Sequence, residues 1–563
     1  MTIIDRLINE IYDSAFPPAR LQQLHALVAA ARERICQPRK AHWDQQDVVL
    51  IAYADQFHED NTPTLATFSR FYRQHLQSSF NLVHLLPFFP SSSDDGFAVI
   101  DYHQVDPPYG SWQDIAELHQ HTRLMFDFVC NHMSAHSAWF AHYLAQDPGW
   151  DNFFFISRPP AADLSAVTRP RTSPLLTPFV MANGEARSVW TTFSADQVDL
   201  NYADPDVLLS MVTVLLDYLQ QGADYLRLDA VGYLWKTPGT ACIHLAKTHL
   251  LVKLFRAIID EVAAGTVLLT ETNVPHDDNI RYFGNGRDEA HMVYQFPLPP
   301  LVLHAIHHGS SRALRQWASS LDGGSGSTTF FNFLASHDGI GLNPLRGILP
   351  EHEIVALAQD LAREGALISW KTNPDGTTSP YEINVTYLDA LSKERDDDDS
   401  RLQRFLLAHG LLLAFPGVPA VYVQSILGSR NDLDGVKVAG MNRAINRQKY
   451  ALSDIEKALA ATGSLRQRVW YALSQLIQVR IRQAAFHPDN PMTIGDSDDS
   501  LLVMQRQTKN AQDTLCCVFN LSAKPVGYRL PEPRWYRDVA SGERIDGKEE
   551  LVLDAWQFRW LQP

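Results

Sequence analysis

"ADYLRLDAVGYLWK", residues 223–236, follows an apolar helix-like run, "LLSMVTVLLDYLQQG", residues 208–222. Side chains of a strand alternate between its two faces, so Tyr225, Arg227 and Asp229 share one face while Leu226, Leu228 and Ala230 take the other. A buried-looking strand therefore ends in an arginine and an aspartate. Taken alone, such a pair is most simply a structural ion pair at a strand end. What it means depends on what the rest of the chain brings to the same place.

Working outward, similar short apolar runs recur between amphipathic helical stretches. They read "DVVLIAYAD" (47–55), "LVHLLPFFP" (82–90), "LMFDFVCNH" (124–132), "TVLLTE" (266–271), "HMVYQF" (291–296), "FFNFLASHD" (330–338) and "VPAVYVQS" (418–425). Most carry β-branched and aromatic residues, and their polar residues gather at the C-terminal ends. With "DYLRLD" (224–229) they make eight strands of parallel type. That pattern predicts an α/β fold, a (β/α)8 TIM barrel whose active site lies at the C-terminal ends of the strands. Long insertions are expected after the third strand (134–200) and the seventh (341–400). The second of these ends in the charge run "KERDDDDS" (393–400), read as a solvated face. A helical extension is expected over residues 1–45 and the barrel over 46–487. A small antiparallel β domain is expected over 488–563, where "LLVMQR", "LCCVFNLS" and "ELVLDAWQFRWL" follow one another.

The polar strand ends form a constellation. The third strand delivers Asp127, Asn131 and His132, the fourth Arg227 and Asp229, the fifth Glu271, and the seventh His337 and Asp338. Clustered carboxylates repel and raise one another's pKa, so a role in folding alone would have to justify each separately. Their convergence on one rim points to catalysis.

Composition narrows the partners. The chain has 563 residues, 45% hydrophobic and 20% charged, with a formal net charge of -16. That balance argues against a nucleic-acid partner but not against a small anionic substrate, because local arginines can oppose the global sign. Five cysteines, Cys36, Cys130, Cys242, Cys516 and Cys517, lack metal-site spacing and read as reduced residues of a cytoplasmic protein. The N-terminal stretch lacks a signal peptide's basic patch, and "LLLAFPGVPAVYV" is broken by Pro416, Gly417 and Pro419, so no membrane span is expected. No cofactor is called for and no metal-ligand cluster stands out. "SSSDDG" (91–96) has acids suited to calcium, but a solvated turn is the simpler reading. A homo-oligomer is left open.

In order, "DFVCNH", "YLRLDAVG", "LLTETN" and "FLASHDG" resemble the four signature regions of the α-amylase superfamily, glycoside hydrolase family 13. The resemblance runs from about residue 46 onward. It implies Asp229 as nucleophile, Glu271 as general acid/base and Asp338 as transition-state stabiliser. Arg227 would orient the nucleophile, while His132 and His337 would bind glucose hydroxyls. The chemistry asks for the same arrangement: a retaining transfer needs one carboxylate to attack and one carboxylic acid to protonate the leaving oxygen.

Further stretches resemble the sucrose phosphorylase branch of that superfamily. The resemblance implies that Asp55 ("YADQF") holds sugar hydroxyls and that Tyr102 or His103 ("GFAVIDYHQVD") lies against the sugar. It makes Phe193 ("TTFSADQVDLNY") an aromatic wall and sets Arg443 ("GMNRAINRQKY") near the bound glucose. It also implies phosphate binding by Arg169 and Arg171 ("TRPRTSP") and Tyr381 ("SPYEINVTY"). A guanidinium fork suits phosphate, though an Arg-Pro-Arg loop by itself is often merely solvated. Two departures from that branch stand out: Thr168 replaces an aromatic residue, and Glu382 stands where a fructose-contacting glutamine is usual. "LASHDGIGLNPLRG", "NPDGTTSPYEINVTY" and "YVQSILGSRNDL" instead resemble the bacterial glucosylglycerate phosphorylases. That group's substrates would be glucosylglycerate, inorganic phosphate, glucose 1-phosphate and D-glycerate. Arg171 would take phosphate, and Arg169 or Arg430 the glycerate carboxylate. Sucrose or sucrose 6-phosphate phosphorolysis, α-glucoside hydrolysis and a non-catalytic binding barrel are the alternatives.

Overall fold

The computed structural model describes residues 2–35, 39–40, 43–157, 164–321, 326–373 and 375–563. Cys36 and residues 158–163 of the expected 134–200 insertion lie outside them. Eight strands close a parallel barrel: β1 (Val49–Ala52), β2 (Leu82–Leu85), β3 (Arg123–Val129), β4 (Tyr225–Asp229), β5 (Val267–Thr270), β6 (Met292–Tyr294), β7 (Thr329–Asn332) and β8 (Val418–Tyr422). Each pairs with its neighbours in sequence, and β8 closes on β1 with Val49 opposite Ala420. Every residue of these strands except Arg123 is buried. Burial on both faces is why they read as continuous apolar runs rather than as an alternation.

All eight expected runs contain a barrel strand, but the strands are shorter than the runs. β7 stops at Asn332, so His337 and Asp338 sit on the loop beyond it, and β8 gives way to a helical turn at Val423–Ile426. The ladder ends where the side chains turn polar. The helix Pro205–Gln220 shows how the outer layer forms. Asp204 caps it through the Asp206 amide, Pro205 fits its first turn, and Val207, Leu208, Met211, Val212, Leu215 and Leu219 are buried. Gly222, at φ +98°, then turns the chain into β4.

The first insertion, between β3 and β4, starts with His132–Ser134 paired antiparallel to Gln197–Asp199. It also carries a hairpin, Leu176–Val180 with Ala186–Trp190, whose Leu175 and Trp190 share a small core with Val167 and Cys242. The second, after β7, folds Ile340–Gly341, Leu367–Thr372 and Thr378–Asn384 into a three-stranded antiparallel sheet.

The N-terminal helices Ile3–Ile11 and Pro18–Arg34 are not a separate body. Ile4, Leu7, Ile8, Leu24 and Val28 belong to the same apolar cluster as the barrel. Thr2 and Asp5 close a capping box at the first helix. At the C-terminus a six-stranded antiparallel sheet, from Met492–Ile494 to Phe558–Gln562, docks on the helix Asp398–Ala414. There a Cβ on Gly410 would stand 2.9 Å from the Phe558 ring. No helix among the described residues is long and apolar enough to cross a membrane.

Candidate active site

The register of β3 against β4 places Asp127 opposite Arg227 and Val129 opposite Asp229. Arg227, 2% exposed, therefore lies inside the barrel mouth, where its Nη1 binds both Asp127 and, at 2.8 Å, Asp229. Its Nε donates to the Tyr294 hydroxyl at 3.0 Å. Asp127 is tied on its other side to His84 at 2.7 Å. The arginine thus stands on a fixed counter-charge with one fork edge held toward Asp229. The ion pair is real, and it serves a cluster rather than a strand end.

Glu271, one residue past β5, reaches the same point. The Ala230 amide donates to its Oε2 at 3.1 Å, and Arg227 Nη2 is 4.0 Å away. Ala230 takes a left-handed conformation, φ 49°, which a residue with a side chain seldom adopts. That backbone cost, of order 1–3 kcal/mol, is spent between the two carboxyl groups. Burial pushes both of them up, Asp229 to about 8. The contact with Arg227, 2.8 Å against 4.0 Å, favours charge on Asp229 and the proton on Glu271. Asp338 behaves oppositely. Burial works against its ionisation, but Arg443 at 2.5 Å, with Arg447, holds it well below the usual carboxylate range. Three neighbouring carboxyl groups are thus set to different protonation states, the arrangement that acid–base and nucleophilic roles require.

A pocket collects these groups: Asp229, Glu271, Asp338, His132, His337, Phe193, Arg171, Tyr381, Glu382 and Arg443 all line it. It opens into an outer bowl of about 470 Å3 that shares Arg171, Phe193, Glu382 and Arg443. Burial keeps both histidines neutral, lowering His132 to about 4 and His337 well below the usual imidazole range. Arg171 lies 5.3 Å from the Tyr381 ring and 5.8 Å from that of Phe193, so the first insertion, which carries Arg171 and Phe193, meets the second through Tyr381. Glu382, 2% exposed, grips Arg443 through two hydrogen bonds and stands 3.9 Å from Arg171.

Several residues expected here lie elsewhere. Tyr102 is buried behind the site, its hydroxyl donating to the Val129 and His132 carbonyls. His103 points outward and pairs with Asp217 at 2.8 Å. The aromatic face from that stretch is Phe97, which stacks on His337 at 4.7 Å and lines the pocket. The quoted motif contained it, but two aromatic residues five positions apart cannot be ranked without the loop. Asp55 is ion-paired to Lys449 at 2.6 Å and does not line the pocket. Neither does Arg169, bound to the Ser173 carbonyl, nor Arg430, half exposed and paired with Asp389. Arg169 bonds the Ser173 carbonyl through one nitrogen and Arg430 pairs with Asp389 through another, which holds both outside the pocket lining in this arrangement. The "SSSDDG" acids are not a solvated turn: Asp94 lies 3.5 Å from Arg447 and Asp95 3.4 Å from Lys449.

Residues the motifs did not flag include Asp94, Gln197, Asn273, Phe296 and Phe333 on the pocket wall. Arg447 donates to the His337 carbonyl at 2.9 Å. Lys236, its side chain 1% exposed, places Nζ 2.8 Å from Asn131, 3.0 Å from Asp199 and 2.8 Å from the Tyr233 carbonyl. Asp199 in turn accepts from the Thr192 amide and hydroxyl, next to Phe193. The ammonium is therefore the pin between the barrel mouth and the first insertion. Replacing Lys236 by methionine leaves Asp199 buried without its cation and is expected to cost about 3–5 kcal/mol, seen as a lowered Tm in thermal unfolding.

Comparison with known proteins bears on what this pocket does. Residues 73–338 match the alpha amylase catalytic domain model. Over 555 residues, 99% of each chain, the protein is 57% identical to the glucosylglycerate phosphorylase of Escherichia coli strain K12. The chain belongs to the glucosylglycerate phosphorylase family. Its relatives extend to the sucrose phosphorylase of Agrobacterium vitis, 30% identical over 83% of this chain and 94% of that one. A crystal structure of sucrose 6F-phosphate phosphorylase from Thermoanaerobacter thermosaccharolyticum superposes with a TM-score of 0.75 at 25% identity, covering 91% of this chain and 99% of that chain. The protein is accordingly a glycosyltransferase-type phosphorylase of the α-amylase superfamily, built on a TIM barrel.

Proposed function

We propose that the protein catalyses the reversible phosphorolysis of 2-O-α-D-glucosyl-D-glycerate to α-D-glucose 1-phosphate and D-glycerate, in the cytoplasm, with retention at the anomeric carbon. The observation that carries this reading is the end-to-end identity with the E. coli glucosylglycerate phosphorylase. The buried, unpaired state of Cys130, Cys242, Cys516 and Cys517 suits a reducing compartment. Glu271 gives its proton to the glycosidic oxygen while Asp229 attacks C1, so glycerate leaves and a β-linked glucosyl-enzyme forms. Asp338, kept ionised by Arg443, stabilises positive charge on the sugar ring. Phosphate then attacks from the vacated side, and two inversions restore the α configuration. Arg171, with Tyr381 beside it, holds the phosphate; Phe97 and Phe193 wall the sugar.

Screening acceptors with glucose 1-phosphate in the synthetic direction tests the substrate. D-glycerate should outrun fructose, fructose 6-phosphate and glycerol, and preference for any of these overturns the assignment. Replacing Arg171 by alanine should lower kcat/KM for phosphate about 10- to 100-fold, the worth of one charge-assisted hydrogen bond or a little more, while slow hydrolysis persists. An unchanged phosphate KM would refute its role.

The pH profile of kcat/KM, which reports the free enzyme's acid and base, should be bell-shaped. Rising pH removes the proton shared by Asp229 and Glu271, so the rate falls on the alkaline side near pH 8. Falling pH neutralises the attacking carboxylate and lowers the rate on the acid side.

A further inference from the structure

A second cavity, of about 330 Å3, lies away from the barrel mouth where three parts of the fold meet. One wall is the end of the helix Leu298–His308, another the segment from Leu391 to Arg404, and the third the loops of the C-terminal sheet at 522–524 and 556. The protein carries a net charge of -16, yet this lining holds no carboxylate. It holds Lys393, Arg404, Lys524, His307 and His308.

Arg404 is 4% exposed, and its Nε is buried without a hydrogen-bond partner among the described residues. Asp396 takes the neighbouring Nη2 of the guanidinium, which lies over Trp556 at 4.6 Å. Trp556 itself takes a left-handed conformation, φ 54°, and its backbone N–H donates a hydrogen bond to the Ser522 carbonyl. Lys393 and Lys524 are exposed at the rim and form no ion pair among the described residues. Placing cationic groups around one cavity is unfavourable unless an anion offsets them, and a buried guanidinium nitrogen without an acceptor is costly. Ile306, Leu391 and Trp556 supply an apolar wall for the uncharged part of a ligand.

We propose that this cavity is a second ligand site, separate from the catalytic pocket, which binds a small phosphate ester. Arg404 and the two rim lysines would meet the phosphate oxygens, where several fixed cations favour a dianion over a single carboxylate.

Isothermal titration calorimetry of the full-length protein with fructose 1,6-bisphosphate as probe tests this. Binding should be weakened at least ten-fold in the Lys393→Ala/Lys524→Ala variant, whose exposed side chains are not needed for folding, and should be unaffected by Arg171→Ala. Arg404→Gln, if it folds, should abolish it. Absence of binding, or loss on Arg171→Ala with none in the lysine variant, would overturn the proposal, the latter by placing the probe in the catalytic pocket. Citrate binding as tightly as the bisphosphate would overturn the ligand class.

Discussion

Replacing Asp229 by alanine is expected to reduce phosphorolysis by at least about 10^4-fold, the scale of removing a covalent nucleophile. Arg227 would keep its bond to Asp127, and the 2.8 Å contact it makes to Asp229 is all it would lose, so the barrel should remain folded. The configuration of a rescued product distinguishes a lost nucleophile from a disturbed site. With the carboxylate gone, azide can enter the space it leaves and displace the leaving group in one step. The product would then be β-glucosyl azide, inverted relative to an α-linked substrate, and its anomeric proton is read by NMR. A variant that retains more than about 1% of the rate, or gives only α-azide, would remove Asp229 from the role assigned to it, since loss of the attacking group should leave neither.

Replacing Glu271 by alanine has the second largest expected effect, about 10^2- to 10^4-fold on glucosylglycerate. The loss should depend on the leaving group. The fluoride of α-glucosyl fluoride needs no protonation to depart, so turnover of this substrate should fall far less than cleavage of the glycosidic bond to glycerate. Azide rescue in this variant should give the retained α product, because Asp229 still forms the intermediate and azide only replaces phosphate. Opposite configurations from the two variants would establish a double displacement. Equal losses on fluoride and glucosylglycerate would instead mark Glu271 as a positioning group, in keeping with its bond from the Ala230 amide.

Much of this was legible from the chain. The eight strands showed because both of their faces are buried, which leaves a run of apolar residues that any window detects. The polar groups at their ends showed because a parallel barrel concentrates functional side chains on one rim. Alternation alone put Arg227 and Asp229 on one face, while the register of β3 against β4 set Asp127 opposite Arg227. The loops were not legible in the same way. Tyr102 and Phe97 are both aromatic members of one stretch, and only the turn at Asp94–Gly96 decides that Phe97 faces His337 while Tyr102 caps carbonyls behind it. Arg169 and Arg171 are two residues apart on an irregular segment with no period to sort them. One is taken by the Ser173 carbonyl and the other reaches Tyr381.

By itself the sequence determined the barrel, the order of its strands and the identity of the three carboxyl groups at its mouth, since hydrophobic periodicity and strand alternation are local properties. The tertiary structure alone decided which loop arginine faces the pocket, that Lys236 pins Asn131 to Asp199, and that the pKa values of Asp229 and Asp338 move in opposite directions. Those outcomes depend on distances of a few ångströms between residues up to a few hundred positions apart. Electrostatics and burial act through such distances, and sequence spacing does not encode them.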